Sequence, residues 1–193
     1  AHELGHRTSK LARVLSKALL LTSLYMHFII EHNKGHHKHV GTTKDPATAR
    51  KGEILYFFWI RSITKSYLSA LKIEQKRLNS LGLRWLSRQN QMLHFLLLQT
   101  TLVASVYLFF NLQGLLCFIG AATLGILFFE TVNYLEHYGL TRQKTANGNY
   151  ERVQPIHSWN SNHAIGRAIL FEVTRHSDHH YLSSRRYQVL RNL

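Results

Sequence analysis

Two long apolar runs in the second half of the chain constrain its fold more than any other feature. Residues 93–110, LHFLLLQTTLVASVYLFF, and residues 115–129, LLCFIGAATLGILFF, contain no formal charge, and the intervening NLQG is typical of a turn. A helix needs about 20 mostly apolar residues to span a bilayer. We therefore expect a hairpin of two membrane-spanning helices, and two buried helices of a large soluble core are the alternative.

Two further segments are predicted to be helical. Residues 18–30 are apolar with three exceptions, and we expect one helix to run from His2 to near His32 and to form another span. Residues 164–180, AIGRAILFEVTRHSDHH, carry apolar residues at helical spacing before the last histidines. Residues 142–163 between the hairpin and this segment are polar and turn-rich, which indicates a loop.

Residues 52–80 mix aromatic and basic side chains at helical spacing. This pattern favours an amphipathic helix at the membrane surface, with Tyr56, Trp59 and Arg61 at the depth of the lipid headgroups. An ordinary surface helix that packs on its neighbour is the alternative.

The charge balance is strongly basic. The chain of 193 residues has 24 Lys and Arg against 10 Asp and Glu, a formal net charge of +14. The basic residues lie between the apolar runs, as in the cytoplasmic loops of membrane proteins, and no nucleic-acid-binding motif accompanies them. Cys117 is the single cysteine, which excludes an intrachain disulfide and any cysteine-based zinc or iron–sulfur site within this sequence.

Nine of the 14 histidines occur in four short clusters, HELGH, EHNKGHH, NYLEHYGL and RHSDHH. Most neighbours within a cluster are three or four residues apart, which places them on one side of a helix. One zinc ion takes three or four protein ligands, so nine imidazoles suit two first-row metal ions better, with the choice among iron, copper and zinc left open. The candidate ligands are His2, His6, His32, His36, His37, His137, His176, His179 and His180.

Each cluster also contains a carboxylate next to a histidine: Glu3, Glu31, Glu136 and Asp178. Histidines that bind a metal usually donate their second N–H to a carboxylate or carbonyl, which fixes the orientation of the ring. We interpret the four acids in this way and leave open a direct metal bond from one of them. Helix capping or surface charge is the alternative for each acid.

Five histidines remain outside the clusters. We expect His27 and His94, which lie in apolar helices, to be packed or interfacial side chains and not ligands. His157 and His163 lie close to the last cluster in sequence and are candidates for lining the site or carrying protons. No role is predicted for His39.

HELGH taken alone matches the H-E-x-x-H motif of zinc peptidases, with Glu3 as the general base. A membrane zinc peptidase would leave seven of the clustered histidines without a role. A non-catalytic metal-binding or transport protein is a further alternative, and it predicts metal binding without any O2-dependent product.

The four clusters, in this order, resemble the bacterial integral-membrane alkane 1-monooxygenases, in the membrane fatty acid desaturase-like superfamily. DPATAR, GLTRQK and HSWNSNH are similar to that family as well, and the resemblance covers residues 1–193. NYLEHYGL is the most discriminating element, because it separates alkane hydroxylases from other desaturases and hydroxylases. The departures are Arg7 for the usual Lys, Val173-Thr174 for Leu-Gln, and Tyr181 for Ala, and they bear on alkane chain length.

The resemblance implies an all-α, polytopic transmembrane helical bundle with the histidine clusters at the cytoplasmic helix ends. Residues 1–193 would form a single membrane-embedded catalytic domain, an internal fragment that lacks N-terminal helices and a C-terminal tail. It also implies that the nine clustered histidines hold two Fe ions in a non-haem diiron centre.

The implied reaction converts n-alkanes to 1-alkanols with O2 and with electrons from rubredoxin, rubredoxin reductase and NAD(P)H. The implied location is the bacterial inner membrane, with the active site facing the cytoplasm, and the basic loops would attract acidic rubredoxin. Within the same superfamily, an alkylbenzene (xylene-type) monooxygenase or a desaturase is the alternative. No nucleic acid partner is expected.

Overall fold

A computed structural model describes residues 1–193 and contains helices, turns and loops, with one isolated β-bridge between Lys144 and Tyr150. The prediction of an all-α fold is confirmed. In chain order the helices are α1 (His2–Gly5), α2 (Lys10–Thr22), α3 (Phe28–Glu31), a π-helical segment (His32–His36), α4 (His37–His39), α5 (Leu55–Ser80), α6 (Gln91–His137), α7 (Ala164–Ile169) and α8 (His176–Tyr181), with 3-10 turns at Pro155–His157 and Tyr187–Val189.

Helix α6 is the one element that is long and apolar enough to cross a membrane. Its helical geometry is interrupted at Asn111, which has φ 58° and ψ −168°. Gln99, before the break, accepts a hydrogen bond from the Met26 N–H (3.1 Å), and Glu130, after it, accepts one from the Tyr25 hydroxyl (2.7 Å).

The two legs of α6 therefore lie side by side. On a straight helix Gln99 and Glu130 would be about 46 Å apart, yet both contact the adjacent residues Tyr25 and Met26. The chain must reverse at Asn111, where the sequence predicted the turn of a hairpin. Both ends of α6 consequently lie on the same side of the molecule, which is the side that carries the histidine clusters.

The prediction of one helix from His2 to near His32 is wrong. Helices α1, α2 and α3 replace it, and the break after α2 centres on Leu24, whose φ of 54° is left-handed. The Ser23 hydroxyl donates to the Leu20 carbonyl at 3.2 Å, and such local side-chain bonds compete with the helical ladder. At 13 residues, α2 is about 20 Å long and too short to span a bilayer.

Helix α5 agrees with the predicted helix over residues 52–80, and its buried positions recur every four residues from Phe58 to Leu78. That buried face packs on α3 and α6. Trp59 donates its indole N–H to Thr131 on α6 (3.1 Å), and Arg61 donates to Glu53 (2.6 Å), while Tyr56 is exposed. Trp59 and Arg61 therefore have protein partners, and their depth in a membrane stays a prediction.

The continuous helix expected over residues 164–180 is also broken. Turns separate α7 from α8, and Phe171 and Glu172 within them have φ values of 52° and 60°. Glu172 accepts hydrogen bonds from Arg167 at 2.8 Å, and this ion pair fixes the turn. The preceding residues form the expected loop, interrupted by the β-bridge and one 3-10 turn.

The buried core joins α3 to the start of α6. Phe28, Ile29 and Ile30 pack with Met92 and Phe95, and Phe129 of the second leg closes the cluster from the other side. Because the π-helical segment follows α3 directly, this core fixes its histidines at the open end of the hairpin.

Candidate metal centre

The structure brings together all nine histidines that the sequence singled out, in two adjoining groups. Within each group, the ligand nitrogens lie within 4.8 Å of one another. We call them the five-histidine group (His2, His6, His32, His37 and His179) and the four-histidine group (His36, His137, His176 and His180). Helix α8 contributes to both groups, because His179 points to the first while His176 and His180 point to the second.

The division between the groups depends on the π-helical segment. The His37 N–H donates to the His32 carbonyl, an i→i+5 bond. His32 and His37 consequently face the same way, with their Nε2 atoms 3.0 Å apart. His36 turns to the other group, so the i, i+4 pair of this cluster is divided between the two groups. A regular α-helix would have paired His32 with His36.

The separations between ring nitrogens fit shared metal ions. In the four-histidine group the Nε2 atoms of His176 and His180 are 2.9 Å apart, and those of His137 and His176 are 3.1 Å apart. In the five-histidine group the Nε2 atoms of His6 and His32 are 3.1 Å apart. Two nitrogens bound at about 2.0–2.1 Å to one ion, at a right angle, would be separated by about 3 Å.

Burial and unpaired nitrogens also suit metal binding. Burial lowers the pKa of His6 to about 4 and that of His180 well below its usual value, so both rings are neutral at pH 7 and keep a free lone pair. Both ring nitrogens of His2 and Nε2 of His179 are buried without a hydrogen-bond partner. Such orphaned nitrogens are costly unless a ligand satisfies them.

Asp45 is a functional candidate that the sequence reasoning missed. Its carboxylate lies 2.9 Å from Nδ1 of His36 and also accepts the hydroxyl of Thr48 at 2.5 Å. Burial lowers the pKa of His36, but the Asp45 charge outweighs this and the net pKa is raised. This is the carboxylate–imidazole contact that orients metal-binding histidines. Asp45 lies in DPATAR, nine residues after His36, and so is not among the acids that stand next to a clustered histidine in sequence.

The four acids inside the clusters occupy different environments. Glu136 lies 3.3 Å from Nε2 of His176. Glu31 is buried, accepts from the Ser69 hydroxyl at 3.3 Å, and has a pKa raised to about 8 by burial. Glu3 pairs with Arg7.

Asp178 accepts hydrogen bonds from Arg185 (2.7 Å) and Arg191 (2.8 Å) and so anchors the C-terminal segment next to α8. Of the four acids, Glu136 alone makes a close contact with a clustered histidine. A role in orienting the rings stays a prediction for all four acids.

The remaining histidines lie outside both groups. His27 is buried and packs edge-on against Tyr25, with ring centroids 4.5 Å apart, as predicted for a packed residue. His94 and His163 are exposed. His157 is buried, but its ring accepts the Gln154 N–H (3.0 Å) and contacts Glu151 (3.2 Å), so its nitrogens are already partnered.

An apolar cavity of about 410 Å³ adjoins both groups of histidines. His2 and His32 of the five-histidine group line the cavity, as do His176 of the four-histidine group and the nearby Glu136. Apolar side chains make up most of the remaining wall, among them Leu19, Phe128, Phe129, Val132, Leu170 and Val173. The cavity can therefore hold an apolar molecule against the ligand nitrogens.

The fold and the site together define a helical protein with a histidine-rich metal site at the open end of an apolar hairpin. The whole chain, residues 1–193, matches the fatty acid desaturase family, and the chain belongs to that family. Its members are membrane-integral proteins, in agreement with the exposed apolar surface of α6.

Individual relatives narrow the comparison. The chain is 42% identical, over its full length, to the alkane 1-monooxygenase of Acinetobacter baylyi, and 43% identical over 99% of its length to alkane 1-monooxygenase 1 of Alcanivorax borkumensis. It is 29% identical to the xylene/toluene monooxygenase hydroxylase component XylM of Pseudomonas putida over 99% of its length. The chain spans 47%, 47% and 50% of these relatives, respectively, or about half the length of the curated relatives it matches.

Proposed function

We propose that this chain is the metal-binding core of a monooxygenase that uses O2 to convert n-alkanes to 1-alkanols. The observation that carries the proposal is the apolar cavity of about 410 Å³ in contact with both histidine groups. An alkane has no polar group for recognition, so an apolar chamber next to a redox metal site matches what this substrate requires. Similarity to alkane 1-monooxygenases supports the same choice of substrate.

The nine clustered histidines would hold two Fe ions, one for each group. Imidazole is a ligand that iron accepts, and the two groups give two separate positions. When bound, the two irons would supply the reductive activation of O2 that the oxidation of an unactivated C–H bond requires.

The protein itself would orient the substrate and exclude water. Phe128, Phe129 and Val132 form an apolar wall along the second leg of α6, and the turn around Leu170 and Val173 lies opposite. Contacts with such walls discriminate by about 1–3 kcal/mol per methylene. Preference for a given chain length would therefore come from the length and shape of the cavity.

Glu136 would be the polar residue of the cavity closest to the chemistry. One carboxylate oxygen lies 3.3 Å from Nε2 of His176, and the other is buried without a partner. We propose that this carboxylate supplies an oxygen ligand at the same metal position, because it approaches the His176 nitrogen that faces the other ligand nitrogens. Asp45 would act differently, by holding His36 from the outer nitrogen of its ring.

We further propose that the chain is a single domain of a multi-pass protein in the bacterial inner membrane, with the histidine groups facing the cytoplasm. The net charge of +14 supports this orientation, because Lys and Arg accumulate in cytoplasmic loops. The same charge would steer an acidic electron donor, for which rubredoxin with its NAD(P)H-dependent reductase is the candidate.

The alternative functions differ from this proposal in their substrate or in the reaction assigned to the HELGH motif. An aromatic methyl group is the substrate class suggested by XylM, and a desaturase would act on an acyl chain. A zinc peptidase is disfavoured by the geometry, because His2 and His6 share their group with three further histidines and Glu3 pairs with Arg7.

A product assay on the full-length protein separates these functions. With an electron donor and O2, we expect 1-octanol from octane, with little product from p-xylene or an acyl substrate. His179→Ala should abolish product, while His163→Ala, which changes an exposed histidine outside both groups, should leave it intact. Oxidation of p-xylene alone would assign the chain to the aromatic alternative, and O2-independent peptide cleavage would contradict the proposal altogether.

A further inference from the structure

A second cavity of about 440 Å³ lies beside the metal centre, between α2 and the π-helical segment. Four basic residues line it: Lys10, Arg13 and Lys17, spaced i, i+3 and i+7 on one face of α2, and Lys34 from the opposite wall. No carboxylate lines this cavity. The cavity therefore presents concentrated positive charge to whatever enters it.

These four charges form no ion pair within the protein, although Lys17 and Lys34 interact with the charge of Glu74 at longer range. Seven arginines elsewhere in the chain do take part in ion pairs. The nearby acid, Glu74, is buried and already accepts hydrogen bonds from Arg77 (2.7 Å) and from the backbone N–H of Gln91 (2.7 Å). Like charges on adjacent turns of a helix repel each other, and a bound anion would relieve that repulsion.

Lys17 shows that the cavity is more than a solvated surface. It is half-buried, and its Nζ lies over the Phe95 ring, 5.6 Å from the centroid. Burial lowers the pKa of Lys17 and the charge of Arg13 lowers it further, while the charge of Glu74 raises it by less. The net pKa is lowered, so a further anion close to its ammonium would be stabilising. A partly dehydrated ammonium binds an anion more strongly than one in bulk water does.

The cavity adjoins the start of the helix that is long and apolar enough to cross a membrane. Gln91, one of its lining residues, is the first residue of that helix, α6. Arg84, Trp85 and Arg88 come just before it in sequence, a combination typical of the interface between bilayer and water. Leu11 and Leu15 on α2 are about half exposed or more, so an apolar surface runs beside the basic one.

We propose that this cavity binds the phosphate group of an anionic phospholipid, with the acyl chains lying along the exposed leucines of α2. The volume suits one small headgroup, the four cations match its charge, and the apolar surface distinguishes a lipid from free phosphate. An acidic protein would fit a concave pocket of this size less well than a headgroup does. The inference is independent of the metal chemistry, because lipid binding can be measured without turnover.

The test uses the full-length protein in detergent and counts bound phosphatidylglycerol by native mass spectrometry during titration. The test variant is Lys10→Gln/Lys17→Gln/Lys34→Gln. The matched control is Lys65→Gln/Lys72→Gln/Lys76→Gln, which removes the same charge from exposed lysines of α5 without ion pairs. Each basic residue near an anionic headgroup contributes about fivefold in affinity, so the cavity variant should bind phosphatidylglycerol at least about tenfold more weakly, while the control stays near wild type.

Three results would overturn the proposal. Equal weakening in both variants would mean unspecific attraction to surface charge. Displacement of the lipid by millimolar inorganic phosphate, with phosphate binding equally well to lipid-free protein, would mean a site for free phosphate. Unchanged lipid binding together with a raised KM for an acidic protein donor would mean that the four cations dock a protein. Folding of the cavity variant is checked by its metal content, which should equal that of wild type.

Discussion

The five-histidine group and the four-histidine group lie side by side but are built differently. All four members of the smaller group are buried, whereas three of the five in the larger group, His2, His6 and His37, are only partly buried. The smaller group has a carboxylate on each side, with Asp45 behind His36 and Glu136 next to His176. The larger group has one more ring instead.

The difference predicts how strongly each group would retain its metal ion after the loss of one ligand. The loss of one ring leaves the smaller group with three histidines, so we expect orientation by Asp45 on the outer nitrogen of His36 to matter most there. A group of five retains four ligands when one is lost. We therefore expect the two positions to respond differently to the same kind of substitution, and the following variants test that expectation.

The largest effect is expected from His180→Ala. Removing one of four buried rings should lower the iron content from about two ions per chain to about one. Activity should fall by more than the roughly 100-fold seen when only an outer partner of a ligand is lost. Iron analysis and the rate of octane hydroxylation measure both effects in one preparation.

His6→Ala is the matched variant in the larger group. His6 is partly buried and four other histidines remain, so most of the iron should be retained even if activity drops. Equal iron loss in His6→Ala and His180→Ala would show that the two positions do not differ in the way their structures indicate.

Asp45→Asn should have the next largest effect. The substitution weakens the contact to His36 Nδ1, and loss of such a partner typically costs 10–100-fold in metal affinity or activity. Iron titration of the purified protein measures it. Glu53→Gln serves as the control, because Glu53 pairs with Arg61 and contacts no clustered histidine. A loss of iron affinity in Glu53→Gln but not in Asp45→Asn would refute the role assigned to Asp45.

Gly35→Ala tests the π-helical segment that separates the groups. A Cβ at this position would collide with the Glu31 carboxylate and approach Ile73 to 3.2 Å. Overpacking of this kind costs about 1–3 kcal/mol, and displacement of the segment would disturb His32 and His36 together. The thermal unfolding temperature and the iron content of the variant measure this effect. Gly120→Ala is the control, because a Cβ at Gly120 meets nothing within 4 Å, and it should be neutral or slightly stabilising. Wild-type behaviour of Gly35→Ala would show that the segment tolerates a shift.

The smallest effect is expected from Val173→Phe in the apolar cavity that both groups share. The larger ring should shorten the cavity and shift the preferred alkane by one or a few methylenes, at about 1–3 kcal/mol each. Competition among n-alkanes of graded length measures the shift. Ile165→Phe, at an exposed position outside the cavity, should not alter the preference. If both variants gave the same product profile as wild type, Val173 would have no part in chain-length selection.

Much of the hairpin and of the histidine groups could be predicted from sequence, because both depend on the spacing of residues close together in the chain. Apolar runs of spanning length and the NLQG turn predicted the hairpin, and the spacing of histidines singled out the nine rings that converge. Pairs such as His2 with His6 and His176 with His180 share a group because they obey ordinary helical spacing.

The rest depends on tertiary contacts that leave little trace in the sequence. The i→i+5 bond between His32 and His37 occurs where Gly35 lies close to Glu31 and Ile73, whereas helical periodicity alone would pair His32 with His36. The contact from Asp45 to His36 spans nine residues and a loop. The left-handed Leu24 breaks an apolar run that composition favoured as one helix.

The most direct test of the central claim, that nine histidines form two metal positions, is the iron and zinc content per chain of the full-length protein purified in detergent. About two irons per chain with little zinc, falling to about one in His180→Ala, is the predicted result. About one zinc without iron, or an iron content that His180→Ala leaves unchanged, would contradict the two-position centre described for this chain.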